Sequence, residues 1–393
     1  MSLRLLYILY FLMLAGCGSL VGEDEEIVDP PAELTDIQTS LDVSEIWDRD
    51  TGGGTDDQYL MIRPYIAGER IFITDTNRKV TALNTSNGRN SWSSNLNLGG
   101  GLFNRGDKVN ITSGPGYGDN TVYVGTSEGH VVALDAETGE QQWVSKLSSV
   151  ILSPPQKSGD MVIVKTLDAK LFGLSASTGR RIWSYEETAP SLSLHGTSSP
   201  IITQGIVLTG FDSGSLSALE LNSGRLLWEV NVAVPRGRTE LERLVDIDVN
   251  PIVVGTIVYA ITFQGELAAI SIDSGRVLWN REISSNTGFS VDGDYIYVTD
   301  DKSIIWSFDR FNGGSVWKQD SLLNRQVTGP AVLGNYLIVG DFEGYVHWVD
   351  KNTGAFVARQ RITRDRIIAT PVTSGETVYV FASDGELAAL TYQ

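Results

Sequence analysis

The chain has 393 residues, with 48 acidic and 30 basic side chains, a formal net charge of −18 and one cysteine. A hydrophobic share of 41% is ample for a core and excludes a disordered chain. The acidic balance argues against nucleic acid and anionic lipid headgroups as partners, and the single cysteine excludes a disulfide framework or a cysteine metal cluster. Length by itself suggests two or three domains, and the 41 glycines point to many tight turns.

Residues 1–16 read as a secretory signal peptide. Arg4 supplies the basic start, and Leu5 to Leu14 is an apolar run too short to span a bilayer. It ends in Leu14-Ala15-Gly16-Cys17, which resembles the lipobox of bacterial lipoproteins. That resemblance implies that Cys17 becomes a lipidated N-terminus. Gly18 rather than Asp after it implies sorting to the outer membrane, with the body on the periplasmic face. An ordinary signal peptide with a chance cysteine is the alternative. Residues 17–40, with Glu23-Asp24-Glu25-Glu26 and Pro30-Pro31, show no strand or helix period and read as a solvated tether.

An eleven-residue pattern fills the rest. It reads ALNTSNGRNSW (82–92), ALDAETGEQQW (133–143), GLSASTGRRIW (173–183), ALELNSGRLLW (218–228), AISIDSGRVLW (269–279), SFDRFNGGSVW (307–317) and WVDKNTGAFVA (348–358). An eighth copy starts at Ala389, and its tryptophan is supplied from the other end of the chain by Trp47. Each copy follows a β-rich run such as Thr121-Val122-Tyr123-Val124-Gly125, whose alternation suits a strand. Proline-marked strands precede several copies, at Pro154, Pro200, Pro251, Pro330 and Pro371. About four short strands in about 44 residues, eight times over residues 41–393, predict an all-β, eight-bladed β-propeller. The strand around Trp47 is expected to complete the last blade, built from Ile367 to Tyr392, and so to close the ring.

The repeat residues have structural roles. The seventh position is glycine in all seven complete copies, as a turn with positive φ requires. Asn84, Asp135, Asp309 and Asp350 are placed to cap that turn, and the tryptophan is a wedge between blades. Chemistry is sparse. The histidines 130, 195 and 347 form no ligand motif, and His130 and His347 read as surface or rim positions. Asp292-Gly293-Asp294 and Asp300-Asp301 read as hairpin turns rather than calcium loops. No catalytic residue, metal site or cofactor site is expected.

Irregular spacing is more informative. Successive repeat tryptophans lie 40 or 38 residues apart where connections are short, but 51, 45 and 51 apart around three insertions. These are Asn95 to Gly106, Ala189 to Gly196, and Pro235 to Asp248, where Thr239 to Leu244 could form one or two helical turns. The second and third join successive blades, so they should lie side by side on one face. Leucines rimmed by Arg and Asp suit a protein-binding patch, and loops packing on one another are the alternative.

The lipobox, the eight repeats and the two later insertions together resemble the BamB family, the propeller lipoproteins of the bacterial β-barrel assembly machinery (BAM complex). The most specific segments are Pro190 to Leu194, Glu240 to Asp248 and Asp341 to Trp348. The eleven-residue repeat alone is also found in pyrroloquinoline-quinone dehydrogenases. The resemblance implies a non-enzymatic scaffold, monomeric within a complex. It implies docking on the periplasmic domains of the barrel-forming subunit BamA, alongside other BAM components and unfolded outer-membrane proteins. It implies Leu192, Leu194, His195, Arg243, Asp246 and Asp248 as contact residues. The family carries Arg where this chain has His195, a group mostly neutral at pH 7. A quinone-dependent dehydrogenase-like enzyme, or a propeller lipoprotein with another periplasmic partner, is the alternative; the single cysteine weighs against the enzyme.

Overall fold

Two apolar runs joined by a short turn recur in every repeat, and they form the middle strands of a four-stranded antiparallel sheet. The computed structural model describes residues 29–55, 60–98, 109–188, 198–234, 238–239 and 241–393. Eight such sheets succeed one another. Blades 1 to 7 span residues 65–95, 116–146, 156–186, 201–231, 252–282, 289–319 and 331–361. The first strands of successive blades meet from blade 6 through blades 7, 8 and 1 to blade 4, around a central channel. The molecule is an eight-bladed β-propeller, and residues 32–393 form one unit rather than the two or three domains that length suggests.

Blade 8 is built from both ends of that unit. Its inner strands are Val372–Ser374, Thr377–Phe381 and Glu386–Tyr392, and its outermost strand is Val43–Asp50. Trp47 stands opposite Ala389, in the register the repeat predicts.

The middle strands depart from simple alternation. All five residues of Thr121–Gly125 are buried, as are Val131 to Leu134 in the strand that follows. Each blade is covered on both faces by its neighbours, so both side-chain rows need apolar groups. Only the outermost strands alternate, as Gln141–Lys146 does. Eight apolar clusters result, one at each blade interface; Phe72, Val80, Val122 and Val132 belong to the one between blades 1 and 2.

The tryptophan wedge has a defined seat. Gly88, Gly139, Gly179, Gly224, Gly275, Gly313 and Gly354 all have φ between 63° and 76°. Each also lies flat against the tryptophan of the preceding blade; a Cβ on Gly88 would stand 2.6 Å from the Trp47 ring. The indole N–H of each of these seven tryptophans donates to a carbonyl of the next blade at 2.7–3.1 Å. Glycine is thus fixed twice, by backbone conformation and by the ring. The Asp135, Asp309 and Asp350 carboxylates and the Asn84 side chain accept the turn N–H groups, as expected.

The seven repeat turns lie on one face of the ring, here called the turn face. The connections from each outermost strand to the next innermost strand lie on the opposite, connection face. The insertions all fall in these connections. The expected prolines sit just before innermost strands, where Pro154 and Pro251 line the channel.

Two expectations require correction. The stretch 17–40 is not a solvated tether throughout. Leu34 packs against the apolar cluster between blades 6 and 7, and the Ser40 N–H, with that of Leu41 just beyond the stretch, donates to the Val357 carbonyl of blade 7. His347 is not at a rim. It is fully buried on a middle strand of blade 7, where the Asp341 carboxylate gives its imidazole a partner at 3.0 Å. The aspartate-rich stretches are turns as read: Gly293, at φ 56°, joins two strands of blade 6, and Asp300 Oδ1 accepts the N–H groups of Lys302 and Ile304.

Candidate docking surface

The third insertion connects blade 4 to blade 5 and carries its own start signal. Thr239-x-x-Glu242 is a capping box: the Glu242 N–H donates to Thr239 Oγ1 at 3.2 Å, and the Glu242 carboxylate accepts the Thr239 N–H at 3.1 Å and the Arg238 N–H at 2.7 Å. These hydrogen bonds hold the Glu242 carboxyl below its ordinary pKa. A single 3-10 turn, Leu241–Arg243, follows. The sequence reading allowed one or two turns here; chain geometry grants one because Leu244, Val245 and Ile247 must turn inward, where all three are buried. Ile247 lies over Gly210, its N–H donates to the Phe211 carbonyl, and the Asp246 carbonyl accepts the Phe263 N–H. The segment is therefore stitched to turns of blades 4 and 5, and it presents Leu241, 66% exposed, outward. Val234, just before it, is 62% exposed.

Asp246 and Asp248 are placed differently from Leu241. Asp246 is fully buried and Asp248 is 8% exposed, so both point beneath the segment rather than away from it. There they face the buried Lys165 of blade 3, whose ammonium donates to the Gly210 carbonyl at 2.7 Å and lies 5.5 Å from the Phe211 ring centre. Burial pushes the Lys165 ammonium below its usual range, while Asp212, Asp248, Glu187 and Asp246 oppose that. Burial, with the Asp246 and Asp212 charges added, pushes Asp248 up to about 7; Lys165 works against this. Glu187 is raised by burial and receives the Ser213 and Ser215 hydroxyls. Four carboxylates thus surround one ammonium beneath this part of the face.

Leu192, Leu194 and His195, like Cys17, lie outside the described residues, and of Arg243 only the backbone is described. The chain on either side of the second insertion is described. Glu187 enters beside Ser213, and the Ser199 N–H leaves by donating to Asn250 Oδ1 at 2.6 Å. The flank of the second insertion at Ser199 therefore meets the flank of the third at Asn250, where both line the channel. A cavity of about 350 Å³ opens there, lined in part by Arg63, Ser199, Asp248, Asn250, Asn286 and Thr370. Of the first insertion, Leu98 is described, and it packs partly buried on the cluster between blades 1 and 2. Among the described residues no group of three or more His, Cys, Asp or Glu is disposed to hold a metal ion.

Sequence reasoning missed Lys165 and Glu187. A lysine at the end of an apolar strand, Met161–Thr166, was the available signal, because a central strand buried on both faces has no solvent for it.

Comparison with known proteins covers most of the chain. The family model described as outer membrane protein assembly factor BamB matches residues 96–319 and 312–393. The outer membrane protein assembly factor BamB of Yersinia pestis is 32% identical over 320 residues, which is 81% of this chain and 81% of that protein. The crystal structure of BamB from Moraxella catarrhalis superposes with a TM-score of 0.79 at 26% identity, covering 89% of this chain and 99% of that one. A quinohemoprotein alcohol dehydrogenase from Comamonas testosteroni shares the fold alone, with a TM-score of 0.68 at 13% identity over 89% of this chain and 76% of that one.

Proposed function

This chain belongs to the family of the outer membrane protein assembly factor BamB, and from that premise we propose that it is a non-enzymatic scaffold of the outer-membrane protein assembly machinery. Lipidated at Cys17, it works at the periplasmic face of the outer membrane. Its connection face over blades 3 to 5 docks on the periplasmic domains of BamA. The observation that carries this reading is the capped 3-10 turn, which holds Leu241 out in solvent on a segment bonded to two blades. An apolar side chain fixed at this degree of exposure loses little conformational freedom on binding.

Leu192, Leu194, His195 and Arg243 provide the contact with Leu241. Asp246 and Asp248 contribute from below: with Lys165 they set the height and angle of the segment. Replacement of the family arginine by His195 weakens the ionic part of the contact at pH 7 and restores it on acidification. The test is co-purification of BamA from detergent-solubilised membranes. Leu192→Ala and Leu194→Ala should each reduce recovered BamA about tenfold while the thermal midpoint stays unchanged. Undiminished recovery with both variants removes this face from the account.

A further inference from the structure

Strand Val43–Asp50 begins on the turn face, where Val43 stands opposite Tyr392 and the Gln393 N–H donates to the Asp42 carbonyl at 3.0 Å. Residues before it do not leave there. Ser40 and Leu41 bond to Val357, the bulged residue of the outermost strand of blade 7, at 2.9 and 3.3 Å. Further back, the Thr35 carbonyl accepts Arg359 Nη1 at 2.9 Å. The Ala32 N–H donates to the Leu323 carbonyl at 2.9 Å, and the Ala32 carbonyl accepts Arg325 Nη1 at 3.0 Å. Leu323 and Arg325 belong to the connection from blade 6 to blade 7. Between Asp42 and Ala32 the chain therefore crosses the wall of the ring to the connection face.

The two guanidiniums that hold this strap share one support. Arg325 is 3% exposed; its Nε donates to Asp341 Oδ2 at 2.9 Å, its Nη2 forms an ion pair with the same oxygen at 2.8 Å, and Nη2 donates to Glu343. Asp341 is fully buried, and its Oδ1 accepts the N–H groups of Glu343 and Tyr345. His347 Nε2 faces Asp341 Oδ2 at 3.0 Å, and His347 Nδ1 faces Arg359 Nε at 3.1 Å. An arginine nitrogen only donates, so Nδ1 accepts and the ring proton sits on Nε2, donating to Asp341. The Arg359 contact thus requires a neutral imidazole. The Asp341 to Trp348 stretch, singled out in the sequence for its likeness to a family, here carries the support of the strap.

We propose that Arg325, Asp341, His347 and Arg359 form a latch that clamps residues 32–42 across blade 7 and makes the chain leave the propeller on the connection face. The functional weight of this rests on the reading above, in which that face docks a partner and the N-terminus carries lipid. The latch then holds anchor and docking face on the same side of the ring. Release would move the exit to Asp42 on the opposite face and add roughly 35 Å of extended tether.

The latch has a pH signature. Burial lowers the His347 pKa, Asp341 opposes this, and Arg359 and Arg325 add to the lowering; Tyr345 and Phe356 flank the ring. A histidine depressed in the folded state contributes stability that is present above its ordinary pKa near 6.5 and is lost as pH falls through the lower folded value. Hydrogen exchange on the intact lipidated protein, without partner, tests the proposal. The Ala32, Ser40 and Leu41 amides should be protected at pH 7.5. Arg359→Met should speed their exchange at least tenfold while blades 2 to 5 keep their protection. Acidification to pH 5 should deprotect the same amides, after correction for intrinsic rates, in wild type but not in Arg359→Met, where they are already open. Leu34→Ala, which leaves the charged groups intact, should open the strap and keep the pH response of any residual protection. Unprotected strap amides in wild type, or protection unchanged in Arg359→Met, overturn the latch. Because no partner is present, either result is independent of whether the docking reading holds.

Discussion

Seven of the eight blade interfaces are alike, and the eighth is not. At the seven, a tryptophan of one blade lies on the turn glycine of the next and donates its N–H to a carbonyl there. Between blades 7 and 8 the repeat position holds Ala358, which is 4% exposed. The reason is topological. The two outer strands of blade 8, Glu386–Tyr392 and Val43–Asp50, come from opposite ends of the chain, so no turn and no glycine exist there for a tryptophan to rest on. Trp348, Tyr336 and Tyr392 fill the space instead, with ring centres 5.1–6.2 Å apart, and Leu41 of the strap joins them. The Trp348 N–H has no hydrogen-bond partner among the described residues. The comparison shows that the tryptophan and the glycine are one device in two blades, and that the ring closes by a different device.

That difference can be broken at several levels. The largest effect belongs to the seam itself: deleting residues 367–393 removes three strands of blade 8 and leaves Trp47 and the strap without their sheet, so cooperative thermal unfolding should disappear. A truncated chain that melts like the full one would contradict the closure. Next comes exchange of the two devices. Trp228→Ala should cost about 3–5 kcal/mol in denaturant unfolding, because a large ring is lost from between two blades. Ala358→Trp, although it restores the consensus, should cost about 1–3 kcal/mol, because the aromatic trio already fills that interface. Equal and stabilising behaviour of the consensus tryptophan at Ala358 would mean the eighth interface is only a degraded copy of the others. The smallest contrast is in a single N–H. Trp228→Phe strands the Ile272 carbonyl and should cost about 1 kcal/mol beyond the smaller ring, whereas Trp348→Phe removes an N–H that has no partner and should cost only what the smaller ring costs.

Much of this architecture was legible in the sequence, since a tandem repeat states its period, its turn and its wedge several times over. The split blade was legible too, because the last copy stops at the residue where Trp47 can continue it. What escaped were contacts made by single, unrepeated residues. His347 looked like a rim histidine because its strand gives no hint that Asp341 and Arg359 await it. Residues 32–40 looked like tether because little beyond Leu34 and their backbone groups engages the propeller, and the Arg325 and Arg359 side chains that meet them come from blade 7 and the connection before it. At the docking surface, Thr239 to Leu244 read as one or two helical turns, of which the single turn Leu241–Arg243 forms. Lys165, by contrast, comes from a different blade, and no local pattern ties it to Asp246 and Asp248.

The central claim is that one face of the ring recognises the partner, and a pair of exposed apolar residues on opposite faces tests it directly. Leu241 lies on the connection face and Phe311, 59% exposed, on the turn face. Affinity of the purified chain for the periplasmic domains of BamA should fall at least tenfold for Leu241→Asp and stay unchanged for Phe311→Asp. Loss with Phe311→Asp and full affinity with Leu241→Asp would place docking on the other face and contradict the account.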